Sequence, residues 1–288
     1  MRRLKTALRY PGGKSRAMDF LLSDENMPAA QITEYRDPFT GGGSPAIAFA
    51  KQHPDIPVWI NDKYYNLFSF YVSIQQDAER LVDTLIEKIK EVAADEERHR
   101  VLFNECKEEI NEQSDQTEIA WRFWILNRLS FSGLTETSTF ASANMRMNFN
   151  ENLATDLLWY SHLMRDWKIT NLDYTELLDD NESAFVFLDP PYDIKAVLYG
   201  KHGEMHVGFD HKKFCDDCKS SNNMQMITYN SNEFLREQLQ EYTQIEWDLK
   251  YSMCNGSDAY EEDQKNRMAL LCLNYETRKI QNLESFFL

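Results

Sequence analysis

Short apolar runs that end in a glycine-rich turn or in an acid recur along the chain, as they do in parallel β-sheets. Residues 32–37 predict a strand that leads into the turn Pro38-Phe39-Thr40-Gly41-Gly42-Gly43-Ser44, and a helix follows this turn. Residues 58–60 predict a second strand, which stops at Asn61-Asp62. The continuous apolar run 184–188 predicts a central strand that is buried on both faces. This order of elements predicts an α/β fold with a doubly wound sheet.

A different pattern fills the middle of the chain. From about Tyr64 to Trp124, apolar residues recur at three- and four-residue spacing with charges between them, which predicts amphipathic helices. Residues 130–150 are rich in Ser, Thr, Asn and Phe, and a short alternation at 144–148 predicts a hairpin or an ordered loop. The remaining segments predict, in chain order, a helix at 154–165, a strand at 167–173, a strand at 224–229, a helix at 233–242 and a strand at 268–273.

The composition is that of a globular protein. With 288 residues, of which 42% are hydrophobic, the chain can bury one large core that carries one elaboration. No apolar run approaches the length that crosses a bilayer, and the basic start, residues 1–5, is not followed by a long apolar segment. The five cysteines lack the dense spacing of a disulfide scaffold, which favours reduced thiols. We therefore expect a soluble cytoplasmic protein with no membrane partner; the sequence does not predict an oligomeric state.

The formal net charge of -16 opposes non-specific binding to nucleic acid, because such binding neutralises phosphates with Lys and Arg. The charge is unevenly distributed along the chain. Residues 76–118 carry fourteen acids against six bases, a net of -8 and half of the total, whereas residues 1–20 carry six bases against one acid. One face of the protein can therefore meet DNA while another face is acidic.

The glycine-rich turn and the strand after it are candidates for a cofactor site. Gly41 and Gly43 let the backbone approach a ligand closely, and Asp62 can accept hydrogen bonds from two ribose hydroxyls. Taken alone, the glycines are better explained by an ordinary tight turn, and the sequence lacks the full dinucleotide fingerprint, which disfavours nicotinamide binding. Residues 10–15 end like a phosphate-binding loop, but Leu8 stands where that motif requires its first glycine. Lys14 can instead neutralise a small carboxylate, such as the amino-acid end of a cofactor.

The motif Asp189-Pro190-Pro191-Tyr192 follows the apolar run directly and is the most specific signal in the chain. The exocyclic amine of adenine is a poor nucleophile because its lone pair is delocalised into the ring, so a site that uses it must accept its hydrogen bonds. Asp189 supplies a carboxylate, and Pro190 supplies a carbonyl on a backbone that Pro191 holds extended. Tyr192 supplies a ring on which a flipped base can stack. A surface turn is the alternative interpretation, which the position at the end of a buried strand disfavours.

These motifs together resemble the Dam-like (D12 class) family of DNA adenine-N6 methyltransferases over nearly the whole chain. The matching segments are residues 8–14, 37–44, 61–62, 126–134 and 189–192. The resemblance implies a Rossmann-like class I S-adenosylmethionine (AdoMet) methyltransferase fold, with residues 1–63 and 166–288 as the catalytic domain and residues 64–165 as a mainly helical target-recognition insertion. It also implies methyl transfer from AdoMet to N6 of a flipped adenine in double-stranded DNA, without a metal.

The resemblance and the positions of the motifs assign roles to individual residues. We expect the catalytic residues to be Asp189, Pro190, Pro191 and Tyr192. We expect the cofactor-binding residues to be Tyr10, Lys14, Asp37, Phe39, Gly41, Gly43, Asp62, Asp173 and Asp189. We expect DNA contacts from Arg9, Asn127, Arg128, Phe131, Ser132, Gly133, Glu136, Asn144 and Arg146, whose polar members can contact phosphates or read base edges.

The sequence departs from the family pattern in the recognition segment. Members that read GATC are expected to carry an arginine two residues after the Gly-Leu pair, whereas here Gly133-Leu134 is followed by Thr135-Glu136. A glutamate can only accept hydrogen bonds, for example from cytosine, whereas an arginine donates two to guanine. Specificity for GATC is therefore not predicted.

Three alternatives remain open at this point. His202, His206, Cys215 and Cys218 have spacings that could bind zinc, but Asp210 also predicts a helix start, after which Phe214, Cys215 and Cys218 share an apolar face. The acidic charge suits an inactive methyltransferase-fold protein that binds or blocks DNA. The chemistry also suits an RNA adenine methyltransferase. The complete set of Lys14, Asp62, Asp189 and Tyr192 favours an active enzyme.

Overall fold

The structure, a computed structural model, describes residues 6–10, 12–192, 208–231, 233–248 and 268–279. The strands are β1 (Glu34–Asp37), β2 (Val58–Asn61), β3 (Lys168–Thr170), β4 (Ala184–Leu188), β5 (Met224–Asn230), β6 (Thr243–Asp248) and β7 (Met268–Leu273). The helices are α1 (Met18–Leu21), α2 (Ser44–Gln52), α3 (Tyr65–Gln76), α4 (Ala78–Val92), α5 (Glu96–Glu109), α6 (Gln116–Leu129), α7 (Met145–Asn148), α8 (Glu151–Met164), α9 (His211–Ser220) and α10 (Glu233–Gln238).

The seven strands form one mixed sheet in the order β3-β2-β1-β4-β5-β7-β6. The strands from β3 to β5 run parallel, and β7 pairs antiparallel with both β5 and β6. The chain leaves β1 on one side toward β2 and reaches β4 on the other side, so the strand order reverses between β1 and β4. Ligands of open α/β sheets bind outside the carboxyl ends of the strands at such a reversal. The prediction of a doubly wound sheet is confirmed.

The β4 strand shows why its sequence is apolar without interruption. Phe185 and Phe187 pack into one hydrophobic cluster, and Val186 and Leu188 pack into a second cluster on the opposite face. All five residues of the strand are fully buried. A strand covered on both faces needs apolar residues at every position, so the prediction of a central buried strand is confirmed.

The helices between β2 and β3 pack on the same core as the sheet. The aromatic residues Phe70 of α3 and Phe123 of α6 belong to the cluster that contains Tyr35 of β1 and Phe185 of β4. The α6 helix lies at the centre of this layer and is buried on all sides from Ile119 to Leu129. Side-chain caps begin α5, α6, α8 and α9, supplied by Asp95, Asp115, Asn150 and Asp210, respectively.

The segment 130–150 folds as an ordered loop of short helical turns. Three 3₁₀ turns, Phe131–Gly133, Thr135–Thr137 and Ser142–Asn144, precede α7, and an isolated bridge joins Ser130 to Phe140. The ordered loop is confirmed, but the hairpin is wrong. The alternation at 144–148 belongs to a helical turn, because a period of two over five residues is too short to override the packing of α7 against α6.

Two further differences concern the second half of the chain. The strand β6 was not predicted, and the helix expected at 233–242 ends at Gln238. The β6 sequence, Thr-Gln-Ile-Glu-Trp-Asp, alternates polar and apolar residues like an exposed edge strand, which is its position in the sheet. No helix in the described ranges is long and apolar enough to cross a membrane.

Candidate active site

The glycine-rich turn links β1 to α2 at the carboxyl edge of the sheet. Gly41 and Gly43 adopt left-handed φ angles of 48° and 73°. A Cβ atom on Gly41 would lie 2.7 Å from the Tyr10 ring, and one on Gly43 would lie 2.7 Å from the Tyr71 hydroxyl. Both the backbone conformation and the space therefore require glycine at these positions. Tyr10 is thereby placed directly on the turn.

Asp62 ties the end of β2 to this turn. Its two carboxylate oxygens accept backbone hydrogen bonds, one from Gly41 N at 2.9 Å and the other from Tyr64 N at 3.0 Å. Burial raises the pKa of Asp62 to about 6, and these two hydrogen bonds oppose the shift. Each carboxylate oxygen keeps a lone pair with which it can accept a further hydrogen bond.

Asp37 is the most deeply buried acid of the site. It is 1% exposed, and neither carboxylate oxygen makes a hydrogen bond of good geometry to the described residues, although the Phe39 N–H and the Tyr35 hydroxyl lie close enough to oppose the rise of its pKa. Burial raises its pKa well above the usual value, and the negative charges of Asp189 and Asp62 raise it further. Buried polar atoms are normally satisfied. A buried carboxyl group without a well-formed hydrogen bond, beside two other acids, can accept hydrogen bonds from a ligand.

Lys14 places a positive charge beside the acids at the carboxyl edge of the sheet. It is only 2% exposed, and its ammonium donates to both Asp189 oxygens at 2.8 and 2.7 Å and to the Gly12 carbonyl at 3.0 Å. The same ammonium lies 4.9 Å from the centre of the Tyr192 ring. Lys14 thus contacts both the carboxylate and the aromatic ring of the Asp-Pro-Pro-Tyr motif.

The Asp189 carboxylate accepts hydrogen bonds from three side chains. Its Oδ1 atom accepts hydrogen bonds from the Tyr192 hydroxyl and from Thr228 Oγ1 of β5, both at 2.8 Å. Thr228 is fully buried and stands beside Asp189, because Leu188 pairs with Ile227 in the parallel ladder. Oδ2 accepts from Lys14. Thr228 was not predicted as a site residue, although the apolar run and the strand at 224–229 together placed its strand in the sheet.

A second contact from β5 supports the tetrapeptide. The Tyr229 hydroxyl donates to the Pro191 carbonyl at 3.2 Å and also contacts Nδ1 of His211. The rings of Tyr229 and Tyr192 lie 5.3 Å apart. The strand end 228–229 therefore fixes both the carboxylate and the backbone of the motif.

Two expected cofactor residues lie at one side of these acids. Phe39 stacks on Tyr174, with ring centres 5.4 Å apart, and belongs to the second hydrophobic cluster. Asp173 caps the turn Tyr174–Leu177 by accepting from Thr175 N and Thr175 Oγ1, and it pairs with Lys63 at 3.0 Å. If Asp173 binds a cofactor, its exposed carboxylate must accept a hydrogen bond from the ligand while it also caps this turn.

Three of the expected DNA-contacting residues hold the N-terminal segment against α6. The Asn127 amide accepts from Arg9 N at 3.0 Å and donates to the carbonyls of Arg9 and Gly133 at 2.6 and 3.1 Å. Arg9 donates to the carbonyls of Arg128 and Ser130, and Arg128 donates to the carbonyl of Ala7. Asn127 and Arg128 are 0% and 8% exposed. The structure therefore brings these residues together, and each of them donates at least one hydrogen bond to a backbone carbonyl inside the protein.

The loop after α6 contains an exposed aromatic ring and unusual backbone angles. Phe131 is 58% exposed. Ser132, Gly133 and Thr135 have φ angles of 54°, 78° and 50°. A positive φ is uncommon outside glycine and is an outlier for the β-branched Thr135. Glu136, in contrast, is buried, and its oxygens accept from the Tyr64 hydroxyl and the Asn66 amide.

Asn144 and Arg146 lie on the turn Ser142–Asn144 and on α7, respectively, and their side chains are outside what the structure describes. His202 and His206 also lie outside the described residues. The helix interpretation of the cysteine segment is confirmed: Asp210 caps α9, and Phe214, Cys215 and Cys218 are fully buried. Within the described ranges, no group of three potential metal ligands is found.

The sheet order, the glycine-rich turn and the carboxylates at the ends of β1, β2 and β4 define the α/β fold of an AdoMet methyltransferase. The chain belongs to the D12 class N6 adenine-specific DNA methyltransferase family, whose model matches residues 10–253. It is therefore a DNA-modifying enzyme, and the recognition of the family from its motifs is confirmed. Membership of this family indicates an enzyme and not an inactive DNA-binding protein.

Two curated relatives agree with this family. The chain is 25% identical over 203 residues to the type II methyltransferase M.MjaIII of Methanocaldococcus jannaschii, an alignment that covers 66% of this chain and 69% of the relative. It is 23% identical over 259 residues to the type II methyltransferase M.CviBI of Paramecium bursaria Chlorella virus NC1A, which covers 86% of this chain and 91% of the relative.

Proposed function

We propose that this enzyme transfers the methyl group of AdoMet to N6 of an adenine that is flipped out of double-stranded DNA, with Asp189 and the Pro190 carbonyl accepting the hydrogen bonds of the amine. The observation that carries the proposal is the position of Asp189. Its carboxylate lies at the end of the central strand β4 and accepts hydrogen bonds from Lys14. It is also close enough to Asp37 for its negative charge to raise the pKa of that residue.

The donor groups of AdoMet match this pocket in charge and hydrogen bonding. When bound, AdoMet supplies an electrophilic methyl group on a positively charged sulfur. Asp62 keeps lone pairs for the two ribose hydroxyls, and the unsatisfied Asp37 carboxyl suits a cationic ammonium or sulfonium group. Lys14 suits the carboxylate of the amino-acid end. Three acids and one lysine at the same edge of the sheet thus complement a ligand that carries two positive groups and one carboxylate.

Asp189 and its neighbours favour reaction at an amine. Hydrogen bonds from N6 to the Asp189 carboxylate and the Pro190 carbonyl localise the nitrogen lone pair, which is otherwise spread into the ring. The negative charge of Asp189 also stabilises the positive charge that develops on N6 while the N6–methyl bond forms and the methyl–sulfur bond breaks, with its electron pair left on sulfur; N6 then loses a proton to give the neutral product. Thr228 and Tyr192 donate to Oδ1, so Oδ2 is the oxygen that would accept from the amine, and Lys14, which lies beside it, would hold the carboxylate of the cofactor. Catalysis is then mainly positioning.

The recognition of DNA is assigned to the helical insertion, residues 64–165, and in particular to residues 130–150. The exposed Phe131 ring offers an apolar surface to an unstacked base. Asn144 and Arg146 can read base edges, Ser132 belongs to the same loop, and Arg9 lies beside it. Residues 119–170 carry five bases against four acids, so this part of the chain repels phosphates less than the acidic helices before it.

A substrate comparison tests the proposed function. The purified enzyme is incubated with tritiated AdoMet and, separately, with duplex DNA, single-stranded DNA or a structured RNA of the same sequence. We expect label in duplex DNA, and we expect Asp189→Asn to remove it. Preferential labelling of RNA, or equal labelling of duplex DNA by Asp189→Asn, would overturn the proposal.

A further inference from the structure

The Glu136 side chain is placed to hold the recognition loop rather than to reach a base. Glu136 is 5% exposed, and both carboxylate oxygens accept hydrogen bonds from neutral donors. The Asn66 amide donates to Oε1 at 2.7 Å, and the Tyr64 hydroxyl donates to Oε2. A buried carboxylate needs such partners, because an unsatisfied buried charge is strongly unfavourable.

The donors come from a rigid part of the molecule. Tyr64 immediately precedes α3, and its ring packs edge-on against Phe123 of α6 at 5.7 Å. The Asn66 amide also donates to Asn111 Oδ1 at 3.2 Å. Burial and the negative charge of Glu136 raise the pKa of Tyr64 well above its usual value, which keeps the hydroxyl protonated and able to donate.

The loop on the other side of Glu136 is held in an unfavourable backbone conformation. Ser132, Gly133 and Thr135 all have positive φ angles, and only one of them is glycine. Such conformations persist when the surroundings impose them. Asn127 holds the Gly133 carbonyl, Ser130 Oγ accepts from Thr135 N, and the next residue, Glu136, is bound to Tyr64 and Asn66. The hydrogen bonds of Glu136 thus anchor the end of the strained stretch.

We propose that Glu136 is a positioning residue for DNA recognition: its buried hydrogen bonds to Tyr64 and Asn66 fix the conformation in which residues 130–135 face the duplex. This inference rests on the proposed function, which makes the loop part of the recognition segment. It replaces the expectation that Glu136 accepts a hydrogen bond from a base, because the side chain is only 5% exposed and both of its oxygens already accept hydrogen bonds inside the protein.

Removing the Tyr64 hydroxyl distinguishes a Glu136 that positions the loop from a Glu136 that accepts a hydrogen bond from a base. If Glu136 positions the loop, Tyr64→Phe and Glu136→Gln weaken the same contact from its two ends. We expect each variant to lower kcat/KM for the cognate duplex by roughly ten- to a hundredfold, mainly through KM for DNA, because a hydrogen bond to a charged group is lost. The double variant should be about as impaired as the worse single variant, since the two residues share one interaction.

The controls separate this loss from a general loss of structure. Tyr65→Phe makes the same chemical change at the next residue, whose side chain is half exposed, and should leave kcat/KM unchanged. The affinity for AdoMet should change less than about twofold in Tyr64→Phe, because Asp62 is bound by the backbone N–H of Tyr64 and not by its hydroxyl. If Tyr64→Phe does not fold, Asn66→Ala removes the other donor and provides the same test.

The recognition sequence is mapped for each variant by sequencing methylated plasmid DNA. Impaired and less selective methylation by both Tyr64→Phe and Glu136→Gln supports the proposal. Wild-type selectivity and kcat/KM in Tyr64→Phe overturn it, and a changed base preference confined to Glu136→Gln assigns direct readout to the glutamate. A wild-type enzyme that labels no duplex DNA would instead contradict the proposed function, so the two failures are distinguishable.

Discussion

The carboxyl edge of the sheet, which we propose binds the cofactor and call the cofactor edge, carries Asp37, Asp62 and Asp189. This edge and the loop after α6 use polar residues in opposite ways. At the sheet edge, neither oxygen of the buried Asp37 makes a hydrogen bond of good geometry to the described residues, and among the same residues the partly exposed Asp62 accepts only from two backbone N–H groups. In the loop, Asn127 and Glu136 are equally buried, yet their polar atoms are engaged with protein partners. Unsatisfied buried groups indicate a ligand site, whereas satisfied ones hold the protein together. In our proposals, the acids at the sheet edge bind the ligand, whereas the buried polar residues of the loop hold the loop in position.

The largest expected effect is at Asp189, the acid shared by the cofactor edge and the catalytic motif. Asp189→Ala should lower the rate of methyl transfer by roughly 10²- to 10³-fold or more, because it removes the charge that stabilises the developing positive charge on N6. The fold should remain, which circular dichroism checks. Substantial single-turnover activity in this variant would remove Asp189 from the mechanism.

Substituting Gly133 tests the conformation of the loop. A Cβ at this position would lie 2.3 Å from the Arg9 carbonyl oxygen, and its φ angle is 78°. Gly133→Ala should therefore destabilise the protein by about 2 to 4 kcal/mol, through backbone strain and displacement of the N-terminal segment. Gly208→Ala is the matched control, because Gly208 also has a positive φ of 92° but no atom of the described residues within 4 Å of the added Cβ. Equal unfolding free energies for the two variants would show that the Arg9 contact is unimportant.

Thr228 tests whether the site depends on residues that bind no ligand. Thr228→Val keeps the shape and removes the hydroxyl that donates to Asp189. We expect kcat to fall by roughly tenfold, with a smaller effect on KM for DNA, because one hydrogen bond that orients the carboxylate is lost. Thr228→Ser should restore most of the rate. A Ser variant as slow as the Val variant would point to packing rather than to the hydroxyl.

The raised pKa of Asp62 predicts a pH-dependent affinity for AdoMet. Asp62 gains a proton as the pH falls through about 6, and the neutral acid is a weaker acceptor for the ribose hydroxyls. The dissociation constant for AdoMet should therefore rise by up to about tenfold per pH unit below 6. Asp37 titrates in the same pocket, so the comparison is made with Asp62→Asn, in which this part of the pH dependence should disappear. An identical calorimetric pH profile for the two proteins contradicts the assignment.

The smallest effect is expected in the acidic helices. Glu108 is an exposed acid of α5, and its reversal in Glu108→Lys should change DNA binding only through the salt-dependent, non-specific contribution. The slope of log K against log salt and the methylated sequence measure these two quantities separately. A changed recognition sequence in this variant would place part of the DNA interface on α5.

The sequence predicts the positions of the acids at the sheet edge better than the hydrogen-bond partners in the loop, and the reason is physical. Parallel strands place their carboxyl ends at one edge of the sheet, so Asp37, Asp62 and Asp189 could be brought together from strand patterns alone. The partners of Glu136 and Asn127 depend instead on how α3, α6 and the N-terminal segment pack, which local periodicity does not contain. Thr228 is intermediate, because its strand was predicted but its neighbour Asp189 follows only from the register of β4 and β5.

The central claim is that the Asp189 site methylates adenine at N6, and product analysis tests it most directly. Duplex DNA treated with the wild-type enzyme or with Asp189→Asn is digested to nucleosides and analysed by mass spectrometry. We predict N6-methyladenine as the product of the wild-type enzyme and its loss, by roughly a hundredfold or more, with Asp189→Asn. Methylcytosine from the wild-type enzyme, or undiminished N6-methyladenine from the Asp189 variant, would contradict the assignment.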